Sequence, residues 1–466
     1  MSPRVLCISV TLFAFGCDDN MAAHNGPGGG HGADLSTGVG GGGGGGGGDG
    51  DLGAGVGGGG PTCVDGQCQM TCPGGGTTTL SGKVFAPNGT LPLYNAFVYV
   101  PSVAVDPFPA GVTCDRCNGQ VSGNPIVQTL TGPDGAFTLT NVPVGPKVPL
   151  VVQLGKWRRQ VTLNVPACTS TPVTADNARL PKNHGEGEIP QMAIATGSAD
   201  PFECLLLKIG LDPSEITAPT TANSGRVHFF LGTAAHGTNL SPAAPSANDL
   251  YSNLANLLKY DIVILPCEGA PVDKGAAAAT FVQYLNMGGR LFATHYSYDW
   301  LSYTNSPFNV IGKWNLDQAY PSDPYPGTID TSFPKGMAFS SWMHNVDPTV
   351  NGSFTIVDPR NDLDSVDPKY AQRWISHAGD NKVVHTTFNT PLDAPKDDMG
   401  EPLYCGRVVF SDFHVSASEV NTPFFGDAIF PKDCISGPLT AQEKALTFML
   451  FDLSSCVQPD TQSPIG

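Results

Sequence analysis

The residues of this chain able to do chemistry gather at a few points: His236, the pair Cys267-Glu268, His295 with Asp299, and Asp412 with His414. Imidazole is both a neutral metal ligand and a base near pH 7. Carboxylates move protons or bind cations, and a thiol beside an imidazole is activated as thiolate. The set points to binding of a divalent metal, or to hydrolysis through Glu268, His295, Asp412 and His414; a Cys267–His295 dyad is the other chemical reading. Each has a plain structural counterpart, Cys267 as a disulfide partner or apolar filler and His295 as a strand cap. In the run from His295 to Tyr303, Tyr296, Tyr298 and Trp300 alternate. An extended backbone would put them on one face as a platform for a sugar ring, whereas helical spacing would make them core. Trp300 is read as core, with Tyr296 and Tyr298 open as ligand contacts beside His236 and Asp299. His344, His377 and His385 have no partner that the sequence identifies.

These residues need a scaffold, and the sequence supplies one from Gly225 onward. Arg226–Leu231, Asp261–Pro266 and Arg290–Thr294 are apolar runs of the kind buried on both faces of a parallel sheet. Between them, Ala247–Leu258 carries leucines at helical spacing, and a helix capped by Asp273 runs to Gly288-Gly289. Val383–Phe388 and Arg407–Phe410 add strands, and Thr440–Leu453 closes with an amphipathic helix. This alternation predicts a parallel α/β sheet of flavodoxin-like type. Open α/β sheets bind ligands at the carboxyl ends of their strands, which is where His236, Cys267, His295 and His414 fall.

The preceding segment is of another class. Thr79–Phe85, Ala96–Val100, Ala136–Thr140, Val148–Leu154 and Gln160–Val165 are short apolar strands divided by turns such as Pro87-Asn-Gly89 and Thr131-Gly-Pro-Asp-Gly135. No helical period interrupts them, so an all-β sandwich is expected. The chain is thus multidomain, an all-β sandwich followed by an α/β domain. Its expected divisions are 1–16 a signal peptide, 17–76 a Gly-rich linker with cysteines, 77–182 the sandwich, 183–223 a linker with a short helix, 224–456 the α/β domain and 457–466 a tail.

Ser81-Gly-Lys-Val, Leu93-Tyr-Asn-Ala-Phe-Val and Gly132-Pro-Asp-Gly-Ala-Phe-Thr-Leu-Thr-Asn-Val-Pro resemble the carboxypeptidase regulatory-like, transthyretin-type sandwich, which implies a non-catalytic spacer or adhesion module. Tyr260-Asp-Ile-Val-Ile-Leu-Pro, Phe281–His295 and Gly406–His414 resemble the class I glutamine amidotransferase-like fold, nearest to its ThuA-like branch. The resemblance puts His295 where amidotransferases carry their nucleophilic cysteine, so it implies no glutaminase activity.

Composition narrows the setting. Of 466 residues, 41 are acidic against 24 basic, and a net charge of −17 excludes a nucleic-acid partner, which demands concentrated Lys and Arg. Met1-Ser-Pro-Arg4 and the apolar Val5–Phe15 form an export signal too short to span a bilayer. Ala14-Phe15-Gly16-Cys17 resembles a bacterial lipobox, which implies a lipid on Cys17, a membrane attachment through it, and residence at the outer membrane or surface of a Gram-negative cell. Glycines dominate Asn25–Pro61, as in a flexible tether. In an oxidising compartment the 13 cysteines read as disulfides. Cys114-x-x-Cys117 is read as a stapled loop, a pairing among Cys405, Cys434 and Cys456 is expected, and the odd count left after Cys7 and Cys17 makes Cys267 the candidate free thiol. The expected function is a ligand-binding envelope lipoprotein with a carbohydrate or protein partner and a degenerate α/β domain. The alternative is an extracytoplasmic hydrolase or carbohydrate-modifying enzyme, with or without a divalent metal.

Overall fold

The computed structural model describes residues 62–64, 67–118, 120–197, 200–232, 238–303, 306–316, 318, 321–415, 434 and 437–464. The signal, Cys17, most of the glycine-rich stretch and His236 lie outside them. Residues 57–466 form one compact unit.

Among the described residues, 77–182 holds strands and no helix. Two sheets form, one ordered Ala136–Thr140, Thr79–Lys83, Ser170–Pro172, the other Pro125–Leu130, Phe97–Pro101, Gly145–Leu154, Trp157–Val165. Leu80, Phe137 and Leu139 of the first share one apolar core with Val98, Val100, Leu150, Val152 and Trp157 of the second. Alternating residues put one side of each strand into that core. Gly135 ends the Thr131–Gly135 turn with φ +76°, and a Cβ there would press on Pro92 and the Val84 carbonyl, so the turn demands glycine.

The larger sheet has ten strands, ordered Ile216–Thr217, Val227–Leu231, Met192–Thr196, Ile262–Leu265, Arg290–Thr294, Gly406–Ser411, Val383–Thr390, Ala371–His377, Tyr325–Ile329, Ser353–Ile356. The first six run parallel and the last four antiparallel. The sheet is therefore mixed, not parallel throughout. A parallel return needs a crossover of a dozen residues or more, normally helical, but the connection from Pro391 to Cys405 holds Pro391, Pro395, Gly400 and Pro402 and forms no helix.

Three further expectations change. The span 183–223 contains Met192–Thr196, fully buried between two parallel neighbours, as well as the helix Phe202–Lys208. Ala247–Leu258 is two short helices, Ala247–Tyr251 and Leu254–Leu257, broken where Asn253 caps the second. Residues 457–460 are packed rather than trailing: Val457 hydrogen-bonds Asp115, and Asp460 is buried against Arg407. The final helix, Ala441–Ser454, starts with a reciprocal capping box between Thr440 and Glu443.

The disulfides of the last three cysteines also differ from expectation. Cys114 pairs with Cys405 and Cys117 with Cys456, binding the loop after Phe97–Pro101 to the α/β part. Cys72 pairs with Cys168 and Cys204 with Cys434. Cys405, Cys434 and Cys456 thus each take a partner far earlier in the chain. Cys114-x-x-Cys117 is a double staple. Among the described residues Cys267 alone is free, and it is buried.

Candidate functional site

Three strand ends meet at the carboxyl edge of the parallel strands. Ile262–Leu265 pairs with Arg290–Thr294, which pairs with Gly406–Ser411. The register places Leu265 beside Ala293 and Thr294 beside Ser411, so Cys267, His295 and His414 leave the same edge within a few residues of their strands. At His295 the backbone turns with φ +38° into the 3-10 helix His295–Trp300. A left-handed conformation in a ring-bearing residue costs energy and is held by the surrounding packing.

Cys267 Sγ lies 3.2 Å from His295 Nδ1, and His414 Nε2 lies 3.2 Å from the same nitrogen. The thiol and one nitrogen of each ring all fall within 4.8 Å of one another. The three residues are only 2%, 4% and 4% exposed. On its far side His414 Nδ1 faces Asp358, 3.3 Å from both the backbone carbonyl and a carboxylate oxygen. His295 Nε2 faces the Asp362 carboxylate at 3.8 Å. Asp362 donates its backbone N–H to the Asp412 carboxylate at 2.6 Å, and the other Asp412 oxygen is buried without a hydrogen-bond donor among the described residues.

Asp200, just after the central strand Met192–Thr196, ties the edge together. One carboxylate oxygen accepts the Val415 N–H at 2.7 Å and the other accepts the Thr294 hydroxyl. That hydroxyl in turn accepts the Cys267 N–H at 2.9 Å. The thiol and both imidazoles are therefore set by one buried carboxylate acting through neighbouring backbone.

Electrostatics pull the two rings apart. Burial, then the charge of His414 and Arg360, pushes His295 well below the ordinary histidine range. Burial also opposes charge on His414, but Asp358 and Cys267 outweigh it and raise His414 well above that range. Burial and the neighbouring Asp362 raise Asp412 well above the usual carboxylate range. Burial raises Asp200 likewise, and raises Asp299 to about 6.

The structure brings Cys267, His295 and His414 together and sets Asp412 behind them through Asp362. Glu268 and Asp299 serve the adjoining loop: Glu268 pairs with Lys274 at 2.5 Å, Lys274 lies over the Trp300 ring, and Asp299 accepts the Val272 N–H. The aromatic run is helical rather than extended, so no shared face forms. Tyr298 and Trp300 are core, while Tyr296 is partly exposed with its ring 3.9 Å from that of His295. Asp200, Asp358 and Asp362 were missed from the sequence because all three sit in irregular segments without periodicity. The only available signal was that Asp200 follows an apolar run, and that run is short and alanine-rich.

This arrangement can hold a cation on one sulfur and two nitrogens, or it can activate Cys267 through His295. No family model and no curated protein sequence matches the chain. Among solved structures it is similar to a cytoplasmic protein of Salmonella typhimurium (12% identity, 51% of this chain and 95% of that one, TM-score 0.28). It is also similar to a putative ThuA-like protein of Bacteroides uniformis (11% identity, 56% and 88%, TM-score 0.24). A β-galactosidase of Bacillus circulans matches at 11% identity over 48% of this chain and 28% of that one, with a TM-score of 0.23. Similarity at this level transfers no activity.

Proposed function

We propose that this chain is an exported cell-envelope protein, attached through a lipid on Cys17, whose α/β part binds a ligand at the strand-end cluster of Cys267, His295 and His414. The observation that carries the reading is the convergence, within 4.8 Å, of three buried polar groups from three separate strand ends. Burying polar groups together costs free energy, and a ligand held between them offsets that cost. The strained backbone at His295 adds to it. In this reading the 77–182 part is a spacer of the carboxypeptidase regulatory-like kind, and the α/β part is of amidotransferase-like, ThuA-like type.

A second reading, an extracytoplasmic hydrolase, is favoured by one specific arrangement. Asp362, His295 and Cys267 stand in the order carboxylate, imidazole, thiol, with the thiol 3.2 Å from the ring.

The test uses the full-length chain in both lipidated and Cys17→Ser forms. The lipidated form should fractionate with membranes and the variant should not. The variant, folded and soluble, is then screened by thermal shift against divalent metals and simple sugars, since a ligand of the folded state raises Tm by mass action. A shift abolished by His295→Ala and by His414→Ala supports the cluster as the site. A ligand that shifts all three proteins equally, or no shift with any ligand, rejects it.

A further inference from the structure

We infer that Cys267 Sγ, His295 Nδ1 and His414 Nε2 are the three protein ligands of a single divalent metal of the zinc class. The inference rests on the cluster being a ligand site and names the ligand. It begins with protons. His414 Nδ1 faces two acceptors, the carbonyl and carboxylate of Asp358, each at 3.3 Å. Its hydrogen lies there, so Nε2, on the side of His295 and Cys267, takes either the second proton that Asp358 and Cys267 favour on this ring or a metal ion in its place. The carboxylate of Asp362 stands on the Nε2 side of His295 and favours hydrogen there, leaving the His295 Nδ1 lone pair facing both His414 Nε2 and the Cys267 sulfur.

Three donor atoms converge on one point, so positive charge must lie between them. A single proton bridges two of the three atoms. A cation serves all three.

Geometry agrees. Tetrahedral zinc with bonds of about 2.0–2.1 Å to nitrogen and about 2.3 Å to sulfur spaces its ligands by about 3.3 Å (N to N) and about 3.6 Å (N to S). The two separations from His295 Nδ1 are both 3.2 Å and need open by only a few tenths of an ångström, and the third pair, Cys267 Sγ and His414 Nε2, lies within 4.8 Å. Thiolate with two imidazoles suits zinc-class ions and not calcium or magnesium, which take oxygen ligands.

The surroundings are those of a metal site in their own right. Each imidazole has a carboxylate against its other nitrogen, the arrangement that fixes the tautomer and ring orientation of metal-bound histidines. Asp200 and Thr294 fix the backbone N–H of Cys267. The anionic thiolate and the adjacent carboxylates balance a divalent charge. Three protein ligands leave a fourth position, the pattern of zinc sites that bind water or substrate rather than purely structural ones.

The experiment is cobalt titration of the full-length, disulfide-bonded Cys17→Ser chain after chelator treatment, with native mass spectrometry for stoichiometry. The inference expects one bound ion per chain, with thiolate-to-cobalt charge-transfer absorption and the visible bands of four-coordinate cobalt, displaced by zinc. Cys267→Ser should abolish the charge-transfer band while a weaker ion remains. Asp358→Asn keeps all three ligands and should weaken binding roughly 10-fold or more, as loss of such an outer carboxylate does elsewhere. Unchanged near-native circular dichroism of each variant guards against misfolding.

The inference is overturned if no stoichiometric cobalt or zinc binds to the unmodified site, or if Cys267→Ser leaves the charge-transfer band intact. If metals fail but a small molecule still gives a thermal shift that His295→Ala removes, the ligand site stands and only its metal is lost. If metals and small molecules both fail, the two readings fall together.

Discussion

His385 shows what one buried side chain does to the pH range of this protein. It lies in the strand Val383–Thr390, fully enclosed, with its ring against Phe292 and Phe413 and both ring nitrogens without a hydrogen-bond partner among the described residues. Burial, with Arg407 adding to it, pushes its pKa down to about 3. The folded state therefore keeps this ring neutral, while the unfolded chain protonates it near 6.5. Between those values the unfolded state binds the extra proton, so stability is full above pH 6.5 and falls as the pH drops below it. From pH 7.5 to pH 5 the loss from this residue is about 2 kcal/mol. His385→Leu removes the titration, and its stability should change less than wild type over that range. Denaturant melts at pH 7.5, 6 and 5 check this, and parallel profiles for the two proteins would clear His385 of any role. At this scale the sequence was partly legible. Cys267, His295 and His414 follow apolar runs and could be placed at strand ends by counting. Asp358 and Asp362, which orient the two rings, come from a loop where no pattern tells one aspartate from the next.

Among the elements, the buried ion cluster that joins one strand to two helices decides how firmly the sheet is closed. Arg407, in the strand Gly406–Ser411, bonds Asp452 of the final helix and Asp460 beyond it, both at 2.7 Å. Lys335, in the helix Pro334–Val346, reaches the same two carboxylates at 3.0 and 3.4 Å. Although burial works the other way, Arg407 and Lys335 hold Asp452 down to about 2. Its contribution is then complete above the ordinary 3.8 and is lost as pH falls through about 2. Removing one partner from a buried cluster leaves an uncompensated charge, so Arg407→Leu should cost about 3–5 kcal/mol at neutral pH. Asp452→Asn should also destabilise but flatten the acid limb between pH 4 and pH 2. Equilibrium unfolding of the three proteins measures both effects, and an Arg407→Leu cost under about 1 kcal/mol would contradict the first. Strand identity was legible where the apolar run was β-branched, as in Ile262–Leu265, or followed a helix-ending Gly288-Gly289, as in Arg290–Thr294. The central strand Met192–Thr196 was not, because Met-Ala-Ile-Ala-Thr between Pro190 and Gly197 is short and carries one β-branched apolar residue. Its place is fixed by two long-range neighbours, a contribution local pattern cannot show.

For the whole molecule, the decisive links run from one loop of the all-β part to two points near the end of the chain. Cys114–Cys405 and Cys117–Cys456 span 291 and 339 residues. Around them the two parts meet through a salt bridge between Lys156 and Asp261 at 2.5 Å, a hydrogen bond from the Trp342 indole to the Pro92 carbonyl at 2.8 Å, and the stacked rings of Tyr94 and Phe448. Gly155 has φ +54°, and a Cβ there would overlap the carbonyl of Ser454, so the Leu154–Trp157 turn seats directly on the final helix. The sequence pointed to export and disulfides but not to this fusion, since connectivity is a property of the folded surface. The two bridges interleave, with Cys114 and Cys117 close together at one end and Cys405 and Cys456 at the other, and that has a measurable consequence. With either bridge closed, the other adds only a loop of about fifty residues to the unfolded chain, whereas the last remaining bridge, with Cys204–Cys434 still closed, closes a loop of about 115. In the chain-entropy account the second removal should cost about 0.7 kcal/mol more than the first. Cys114→Ser with Cys405→Ser, Cys117→Ser with Cys456→Ser, and the fourfold variant, compared by denaturant unfolding, give that difference directly. A fourfold cost above the sum of the two pairs supports entropy of the unfolded chain as the source of stability. A cost equal to or below that sum would mean that the interface itself, through Lys156, Trp342 and Gly155, holds the two parts together and that the bridges only lock a contact already made.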